Sequence, residues 1–333
     1  MANRIEYFDA VKAICILLMI IGHCNLSALP YFSVIIYSFH MPLFFIISGF
    51  FFKGTTQKEA FRKYASNHIK PYAVTAFVTL GILLLLSAYF RSFNILKDYL
   101  ENWTIRFLWG SGITDGDELF ASTPIVGPLW FLLALFWAML IYNFLRIHFR
   151  DIKLGLIIIM LFCVACYSVK YIRLPLSLQA GCSAVIYIWI GERIRVHNVI
   201  EQYSQIGILG IFATLILWIM CIIDSKDLIM ARCFYPYGLL SLLVSVVVTL
   251  LFVSAVKRFN IKGGWIGRHT LLILCVHSTI LYFKRIFVFV FPIYFKNNLL
   301  LEIAFQILTA LIISYLIFLF YNRMKKSSSM STQ

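Results

Sequence analysis

Residues 5 to 53 decide the fold, and they read IEYFDAVKAICILLMIIGHCNLSALPYFSVIIYSFHMPLFFIISGFFFK. This stretch holds two apolar segments of membrane length, and each contains a histidine, His23 in the first and His40 in the second. A bilayer needs about 20 apolar residues per helix, so two neighbouring transmembrane helices are predicted. Ionisable side chains are costly in hydrocarbon, and those in these segments are therefore candidate functional residues.

Three ionisable residues of the first segment are predicted to share one helix face. Lys12 and His23 are eleven residues apart, which makes three turns plus about 20° and a rise of roughly 16 Å. Asp9 falls within roughly 60° of both on the same projection. We expect a carboxylate and an ammonium near one membrane surface, with an imidazole deep inside the bilayer.

The composition excludes a soluble globular protein. Hydrophobic residues make up 62% of the chain and charged residues 13%, and the mean hydropathy is +0.89. These values predict an all-α, polytopic membrane protein that lies in the lipid bilayer. The formal net charge of +15 could indicate nucleic acid, but the basic residues are spread over short loops. Membrane topology explains them better, and no nucleic-acid partner is expected.

About ten transmembrane helices are expected. They are estimated at residues 10–29, 31–52, 71–90, 128–146, 154–171, 175–191, 206–223, 235–256, 269–290 and 299–321. Most of the 29 Lys and Arg residues fall on one side, so the positive-inside rule predicts that both termini are cytoplasmic. No cleavable signal is expected at the N-terminus. Residues 1–326 are predicted to form one transmembrane domain and residues 327–333 a short disordered cytoplasmic tail.

Metal and disulfide chemistry are not expected from the spacing of the ligand-type residues. Seven of the eight cysteines fall in or at the ends of predicted spans, where disulfide frameworks are unusual. His23, His40 and His277 could hold a metal, but no carboxylate or cysteine joins them at ligand spacing.

The second segment and the longest outer segment carry further polar features. Pro42 cannot donate a backbone hydrogen bond, which predicts a kink beside His40. His23 and His40 are expected at similar depth on neighbouring helices. Residues 91–127 combine acidic residues with Trp103 and Trp109, a pairing that suits a sugar, whereas an interfacial aromatic belt is the favoured interpretation of each tryptophan alone.

Several motifs together resemble the acyltransferase 3 family. They are Lys12 and His23 after Asp9, the segment FHMPLFF at 39–45 followed by Ser48-Gly49, the PLWFL run at 128–132, and Ile266-Gly267-Arg268 before His277. The sequence is most similar to the fucose 4-O-acetylase type of bacterial polysaccharide O-acetyltransferases, and the resemblance covers essentially the whole chain.

The resemblance implies a multi-pass enzyme of the bacterial inner membrane. Such an enzyme takes an acetyl group from cytoplasmic acetyl-CoA and places it on a sugar hydroxyl, commonly of a lipid-linked sugar or a surface glycan such as O-antigen. The family's basic residue and two histidines fall on Lys12, His23 and His40. The family often has arginine at the position of Lys12. Lysine keeps the positive charge there but lacks the guanidinium that could bind an anion through two hydrogen bonds. Some members carry an added extracytoplasmic catalytic domain. None follows here before Gln333, so direct transfer is expected.

Roles follow from the chemistry of acyl transfer. We expect His23 to act as general base on the acceptor hydroxyl, with His40 and Ser48 orienting the acetyl group or stabilising the oxyanion. An acetyl-histidine intermediate stays open. Cations are expected to hold the coenzyme A phosphates, and they are Lys12, Lys70 and Arg268. Further residues are expected to contact the acceptor, and they are Asp9, Trp103, Glu118, Trp130 and His277.

Two other classes of function stay open at this point. Buried His, Lys and Asp also form proton relays, as in a multi-span transporter or a glycan-export component, although the repeated halves common in carriers are not found. A membrane scaffold would use the same residues only to join helices. The acceptor sugar, its hydroxyl, the identity of the acyl group and the oligomeric state are not determined by the sequence.

Overall fold

A computed structural model describes residues 5–90, 93–112, 125–205, 207–290 and 298–330, and the regular structure in these ranges is helical. The helices, numbered in chain order, are α1 (Glu6–Gly22), α2 (Pro30–Phe50), α3 (Gln57–Tyr64), α4 (Lys70–Phe90), α5 (Phe93–Trp109), α6 (Trp130–His148), α7 (Asp151–Ser168), α8 (Leu178–Val196), α9 (Val199–Ser204), α10 (Ile208–Ile223), α11 (Leu239–Arg258), α12 (Gly264–Arg268), α13 (Thr270–Val290) and α14 (Leu299–Met330). The predicted all-α class is confirmed, and each of the ten predicted segments overlaps a helix.

Several helices are long and apolar enough to cross a membrane. Within the described ranges there are six such runs: Pro30–Phe50, Gln57–Leu85, Gly127–His148, Asp151–Ser168, Leu239–Arg258 and Leu299–Lys325. Two shorter apolar helices, Ile208–Ile223 and Thr270–Leu281, add to them. The chain is therefore a multi-pass membrane protein. The count of ten spans and the cytoplasmic position of both termini stay predictions.

Helix α10 has the apolar, exposed surface that is expected of a helix that faces lipid. Its one buried residue is Thr214. Large apolar side chains are exposed around the rest of the helix, and they are Ile208, Leu209, Phe212, Ile216, Ile219, Met220 and Ile223. A helix that is apolar all round and not covered by protein is stable only where lipid replaces water.

The chain divides into two compact units. The first comprises residues 1–29 and 261–333, and the second comprises residues 30–260. In the first unit, α1 packs against α12, α13 and α14. The approach of α12 is close enough to need glycine, because a Cβ at Gly267 would lie 1.9 Å from the carbonyl oxygen of Asp9 and one at Gly263 would lie 2.2 Å from it.

In the second unit, α8 packs against α2, α6 and α7. The backbones of α2 and α8 meet at two glycines. A Cβ at Gly49 would lie 2.0 Å from the oxygen of Ile188, and a Cβ at Gly191 would lie 2.1 Å from the oxygen of Ile46. Gly49 belongs to the Ser48-Gly49 motif, and this contact gives it a structural reason to be glycine.

Three local features differ from the sequence-based boundaries. The first helix ends at Gly22 rather than near residue 29, because the side chain of Asn25 accepts a hydrogen bond from the Ser27 N–H and starts a 3₁₀ turn. The segment 91–127 contains α5, which the sequence did not predict. Helix α14 is described through Met330, and the assignment of residues 327–333 to a tail stays a prediction.

Candidate active site

An ion pair lies in the first half of α1. Lys12 Nζ is 2.9 Å from Asp9 Oδ1, an i,i+3 contact that agrees with the predicted shared face. Asp9 is buried, and the side chain of Lys12 is 27% exposed. Arg268 follows Gly267, at which a Cβ would lie 1.9 Å from the carbonyl oxygen of Asp9, so a second cation lies close to the same part of α1. Lys12, Arg268 and the carboxylate of Asp9 are thus found toward this end of the unit.

A histidine pair lies at the other end of α1. The rings of His23 and His277 have centroids 5.7 Å apart with an interplanar angle of 39°. His277 is completely buried on α13, and His23 is half-buried directly after the last residue of α1. The structure thus brings together His23 and His277, which the sequence analysis proposed as separate candidates. It also places His23 at a helix end and not within the helix.

A buried carboxylate anchors the chain next to His23, and sequence reasoning missed it. Glu302 accepts a hydrogen bond from the backbone N–H of Asn25 at 3.2 Å and another from Gln306 Nε2 at 3.1 Å. Glu302 is 5% exposed and Gln306 is not exposed at all. The spacing of these two residues, four apart in an otherwise apolar helix, is the signal that could have found them.

The histidine end of the first unit suits proton transfer. The C-terminal carbonyls of α1 carry partial negative charge beside His23, and a cation at a helix C-terminus is stabilised there. The Glu302 network fixes the backbone two residues further on, which limits the positions that His23 can take.

In the second unit, His40 has a defined tautomer. It is 1% exposed, and its Nδ1 lies 2.6 Å from the carbonyl oxygen of Ile36. A carbonyl oxygen only accepts, so Nδ1 carries the proton and Nε2 of the neutral ring is an acceptor. The Tyr37 ring lies edge-on at 5.1 Å. A neutral His40 can thus accept a hydroxyl proton through Nε2, whereas donation to an oxyanion from that atom requires an imidazolium.

The hydroxyl of Ser48 is engaged within its own helix. Ser48 Oγ donates to the carbonyl oxygen of Phe44 at 2.8 Å. Oxyanion stabilisation by Ser48, as predicted, would need this hydroxyl to rotate away from the helix backbone.

The remaining predicted residues are distributed over the second unit. Lys70 is exposed at the start of α4. Trp103 on α5 is 3% exposed and Trp130 at the start of α6 is 8% exposed, so neither ring offers an open face in this conformation. Glu118 lies outside the described residues. The roles of all four in binding stay predictions.

The predicted site residues divide between the two units. The first unit holds Asp9, Lys12, His23, Arg268 and His277, and the second holds His40, Ser48, Lys70, Trp103 and Trp130. The expected equal depth of His23 and His40 stays a prediction.

Metal ligands do not cluster in the part of the chain that the structure describes. No group of three His, Cys, Asp or Glu residues there could hold a metal ion. The expectation of a metal-free reaction remains a prediction.

Comparison with known proteins identifies the family. The model of the acyltransferase 3 family, described as an acyltransferase domain, matches residues 5–319. Nodulation protein NolL of Sinorhizobium fredii is similar, with 33% identity over 148 residues. That match covers 41% of this chain and spans 34% of the length of NolL. No solved structure matches the chain. The match across nearly the whole sequence shows that the chain belongs to the acyltransferase 3 family of membrane acyltransferases.

Proposed function

We propose that this membrane acyltransferase moves an acetyl group from cytoplasmic acetyl-CoA to a hydroxyl of a surface or lipid-linked sugar. Its type is that of the fucose 4-O-acetylases among the bacterial polysaccharide O-acetyltransferases. The enzyme works in the bacterial inner membrane with both termini in the cytoplasm. The observation that carries the proposal is the His23–His277 contact of 5.7 Å at one end of α1, with the Lys12–Asp9 ion pair toward the other.

The cationic end of the first unit receives the donor. Coenzyme A is a polyanionic nucleotide on a long flexible arm, and Lys12 and Arg268 offer two cations for its phosphates. Asp9 holds Lys12 through the 2.9 Å ion pair, which limits the conformations of its flexible side chain. Lys70 is the third cation that the sequence assigns to the donor. The roughly 16 Å rise from Lys12 to His23 is of the order of the pantetheine arm.

His23 is the general base. It takes the proton of the acceptor hydroxyl as the hydroxyl oxygen attacks the acetyl carbonyl carbon. The C–S bond of the thioester then breaks, and His23 returns the proton to the departing thiolate. His277 packs beside the ring of His23, and Glu302 holds the following turn through the N–H of Asn25. Both are positioning residues for His23.

His40 and Ser48 are the further residues that act on the reacting groups. His40 has the role of orienting the acetyl group or stabilising the oxyanion. Its Nδ1–H donates to the carbonyl oxygen of Ile36, so Nε2 is the ring atom left to face the reacting groups. Ser48 stabilises the oxyanion once its hydroxyl has rotated from Phe44. Direct transfer to the sugar is the route proposed, and an acetyl-histidine on His23 is the variant.

The acceptor is bound by aromatic and acidic residues. Trp103 and Trp130 offer faces for the C–H side of a sugar ring, after movement of the protein that covers them. Glu118 offers a carboxylate for its hydroxyls. Asp9 and His277, which the sequence also assigns to the acceptor, are here assigned to positioning, because Asp9 pairs with Lys12 and His277 packs on His23.

The test compares acetylation of the surface glycan by NMR in cells that carry the intact gene, His23→Ala or His148→Ala. His148 is an exposed histidine at the end of α6 and serves as the matched control. We expect the His23→Ala glycan to lose its acetyl signals, while His148→Ala keeps them. Full acetylation with His23→Ala at normal protein level would contradict the mechanism.

A further inference from the structure

A row of polar and small side chains runs along the buried face of α14 in the first unit. Glu302, Gln306, Ala310 and Ser314 follow one another at intervals of four residues, and each is at most 5% exposed. They lie within the membrane-length run Leu299–Lys325, against which α1 and α13 pack. Each step advances about 6 Å and turns about 40°, so this α14 row is roughly 18 Å long and winds slowly around the helix.

Two members of the α14 row have buried polar atoms without a partner. Among the described residues, Gln306 Oε1 and Ser314 Oγ make no hydrogen bond to protein, and neither residue is exposed. The hydroxyl of Thr309 on the same helix differs, because it donates to the carbonyl oxygen of Phe305 at 2.6 Å. A polar atom without a partner is costly inside a membrane span. Such atoms point to a polar ligand that is held between the helices.

The amide of Gln306 is not used in the way that other buried amides of this chain are used. Gln179 on α8 accepts through Oε1 from the N–H of Leu174 at 3.0 Å, and its Nε2 donates to Ser168 Oγ and to the carbonyl oxygen of Ile172. Gln306 donates to Glu302 Oε1 at 3.1 Å, whereas its own Oε1 is left over. A glutamine that served only to join helices would have both of its ends bonded to protein.

One end of the α14 row lies beside the turn that follows His23. Glu302 accepts from the backbone N–H of Asn25 at 3.2 Å, and Asn25 is two residues beyond His23. The carboxyl group of Glu302 is the member of the row that can bind and release a proton. The row therefore begins with an ionisable group close to the proposed base.

The other end of the α14 row lies at α12. Ser314 precedes Tyr315, whose ring is 5.4 Å from the ring of Trp265, and the ring of His269 stacks on Trp265 at 4.7 Å. The Nδ1 of His269 lies 2.9 Å from the carbonyl oxygen of Trp265, so Nδ1 carries the proton and Nε2 of the neutral ring accepts. Arg268 beside it is exposed. Because an exposed guanidinium needs water or lipid headgroups, this end of the row lies near an aqueous surface.

We propose that the α14 row holds a chain of water molecules and conducts protons between Glu302 and the α12 end of the unit. Gln306 Oε1 accepts a hydrogen bond from one water, and Ser314 Oγ accepts from one and donates to another. The stretch of about 12 Å between them, where Ala310 presents only a methyl group, fits about four waters at hydrogen-bond spacing. Buried polar groups that lack protein partners are the usual ligands of ordered water.

Protons pass along the row by exchange, and no group is consumed. A proton leaves the carboxyl group of Glu302 for the first water, others pass from water to water and through the hydroxyl of Ser314, and one enters the medium at the α12 end. The link to the reaction rests on the proposed function: Glu302 takes the proton of a His23 that the medium has protonated, and so restores the neutral base. The other charged or titratable groups described on the two helices packed against the row are Asp9, Lys12, His269 and His277.

Ser314→Ala tests the path at the member of the row that is most distant from Glu302. We expect kcat for acetyl transfer in proteoliposomes to fall roughly fivefold or more, with the KM for acetyl-CoA unchanged and a larger ratio of rates in H₂O and D₂O. The unfolding midpoint should not fall, because Ser314 Oγ has no protein partner to lose. The matched control Thr309→Val removes a hydroxyl from the same helix and should keep native kcat.

A second measurement does not depend on activity. Solid-state NMR of the full chain in liposomes records the transfer of magnetisation from water to the side-chain amide of Gln306, and loss of this signal in Gln306→Met identifies it. We expect transfer in the native protein and in Thr309→Val, and weaker transfer in Ser314→Ala.

The outcomes separate the proton path from its rivals. Native kcat in Ser314→Ala, or no transfer of magnetisation from water to Gln306, would overturn the path. A raised KM for acetyl-CoA at native kcat would assign the row to contacts with the donor arm and would also overturn it. Water at Gln306 in a protein that acetylates no glycan would support the water chain while contradicting the proposed function.

Discussion

Replacing Gly267 with alanine places a methyl group where α12 touches α1. The new Cβ would lie 1.9 Å from the carbonyl oxygen of Asp9 and 2.5 Å from its carbonyl carbon, and both are rigid backbone atoms. Cβ contacts under 3.0 Å essentially do not occur, so α12 must move away from α1 by at least about 1.1 Å. Overpacking of this kind lowers stability by about 1–3 kcal/mol.

The displacement also separates Arg268 from Lys12, which together are proposed to hold the donor phosphates. A misplacement of about 1 Å can lower a catalysed rate by roughly a hundredfold. We therefore expect kcat/KM for acetyl-CoA to fall between tenfold and a hundredfold in Gly267→Ala, with the unfolding midpoint lowered. The assay is release of coenzyme A in membranes that contain the acceptor.

A matched control is Gly81→Ala on α4, where a Cβ meets nothing within 4 Å. This variant should keep both native stability and native kcat/KM. If Gly267→Ala also kept both, the close packing of α12 on α1 would not support the donor site, and that reasoning would be wrong.

Three further substitutions test single contacts. His277→Leu removes the ring beside His23 and should lower kcat roughly tenfold to a hundredfold, with the KM for acetyl-CoA unchanged; an unchanged kcat would remove His277 from the site. Glu302→Ala removes the acceptor of the Asn25 N–H and of the buried Gln306 Nε2, and should lower the free energy of unfolding by about 1–3 kcal/mol; Glu302→Gln, which keeps an acceptor oxygen, should lower it less. Glu192→Gln should lower the free energy of unfolding in denaturant by about 2 kcal/mol, because the guanidiniums of Arg146, Arg193 and Arg195 lose the carboxylate with which they pair. Native stability of this variant would show that these ion pairs do not stabilise the fold.

The positions of the helices could be predicted from the sequence because apolar runs of membrane length are a strong signal. The run at 31–52 became Pro30–Phe50, and that at 269–290 became Thr270–Val290. Helix α5 was missed because Phe93–Trp109 carries charged residues along its length and was assigned to a loop. The number of spans and the side on which the termini lie depend on the distribution of charge between the two membrane surfaces. The lengths of the helices do not determine that distribution.

The candidate site could be predicted only where one helix carries the pattern. The Asp9–Lys12 contact follows from i,i+3 spacing, whereas the approach of His277 to His23 depends on packing between α1 and α13. Glu302 was missed because its partner is a backbone N–H distant in sequence, at Asn25. The close contact of α12 with α1 could not be predicted from the sequence either, because Gly267 was recognised only as part of a motif.

The most direct test of the account is a structure of the protein with coenzyme A bound in a nanodisc. The account predicts the phosphates at Lys12 and Arg268 and the thiol within about 4 Å of the His23 ring, a distance at which the acyl group can react. A bound coenzyme A whose thiol lies far from His23, or a His23 side chain that faces only lipid, would contradict the claim that α1 connects the donor site to the base.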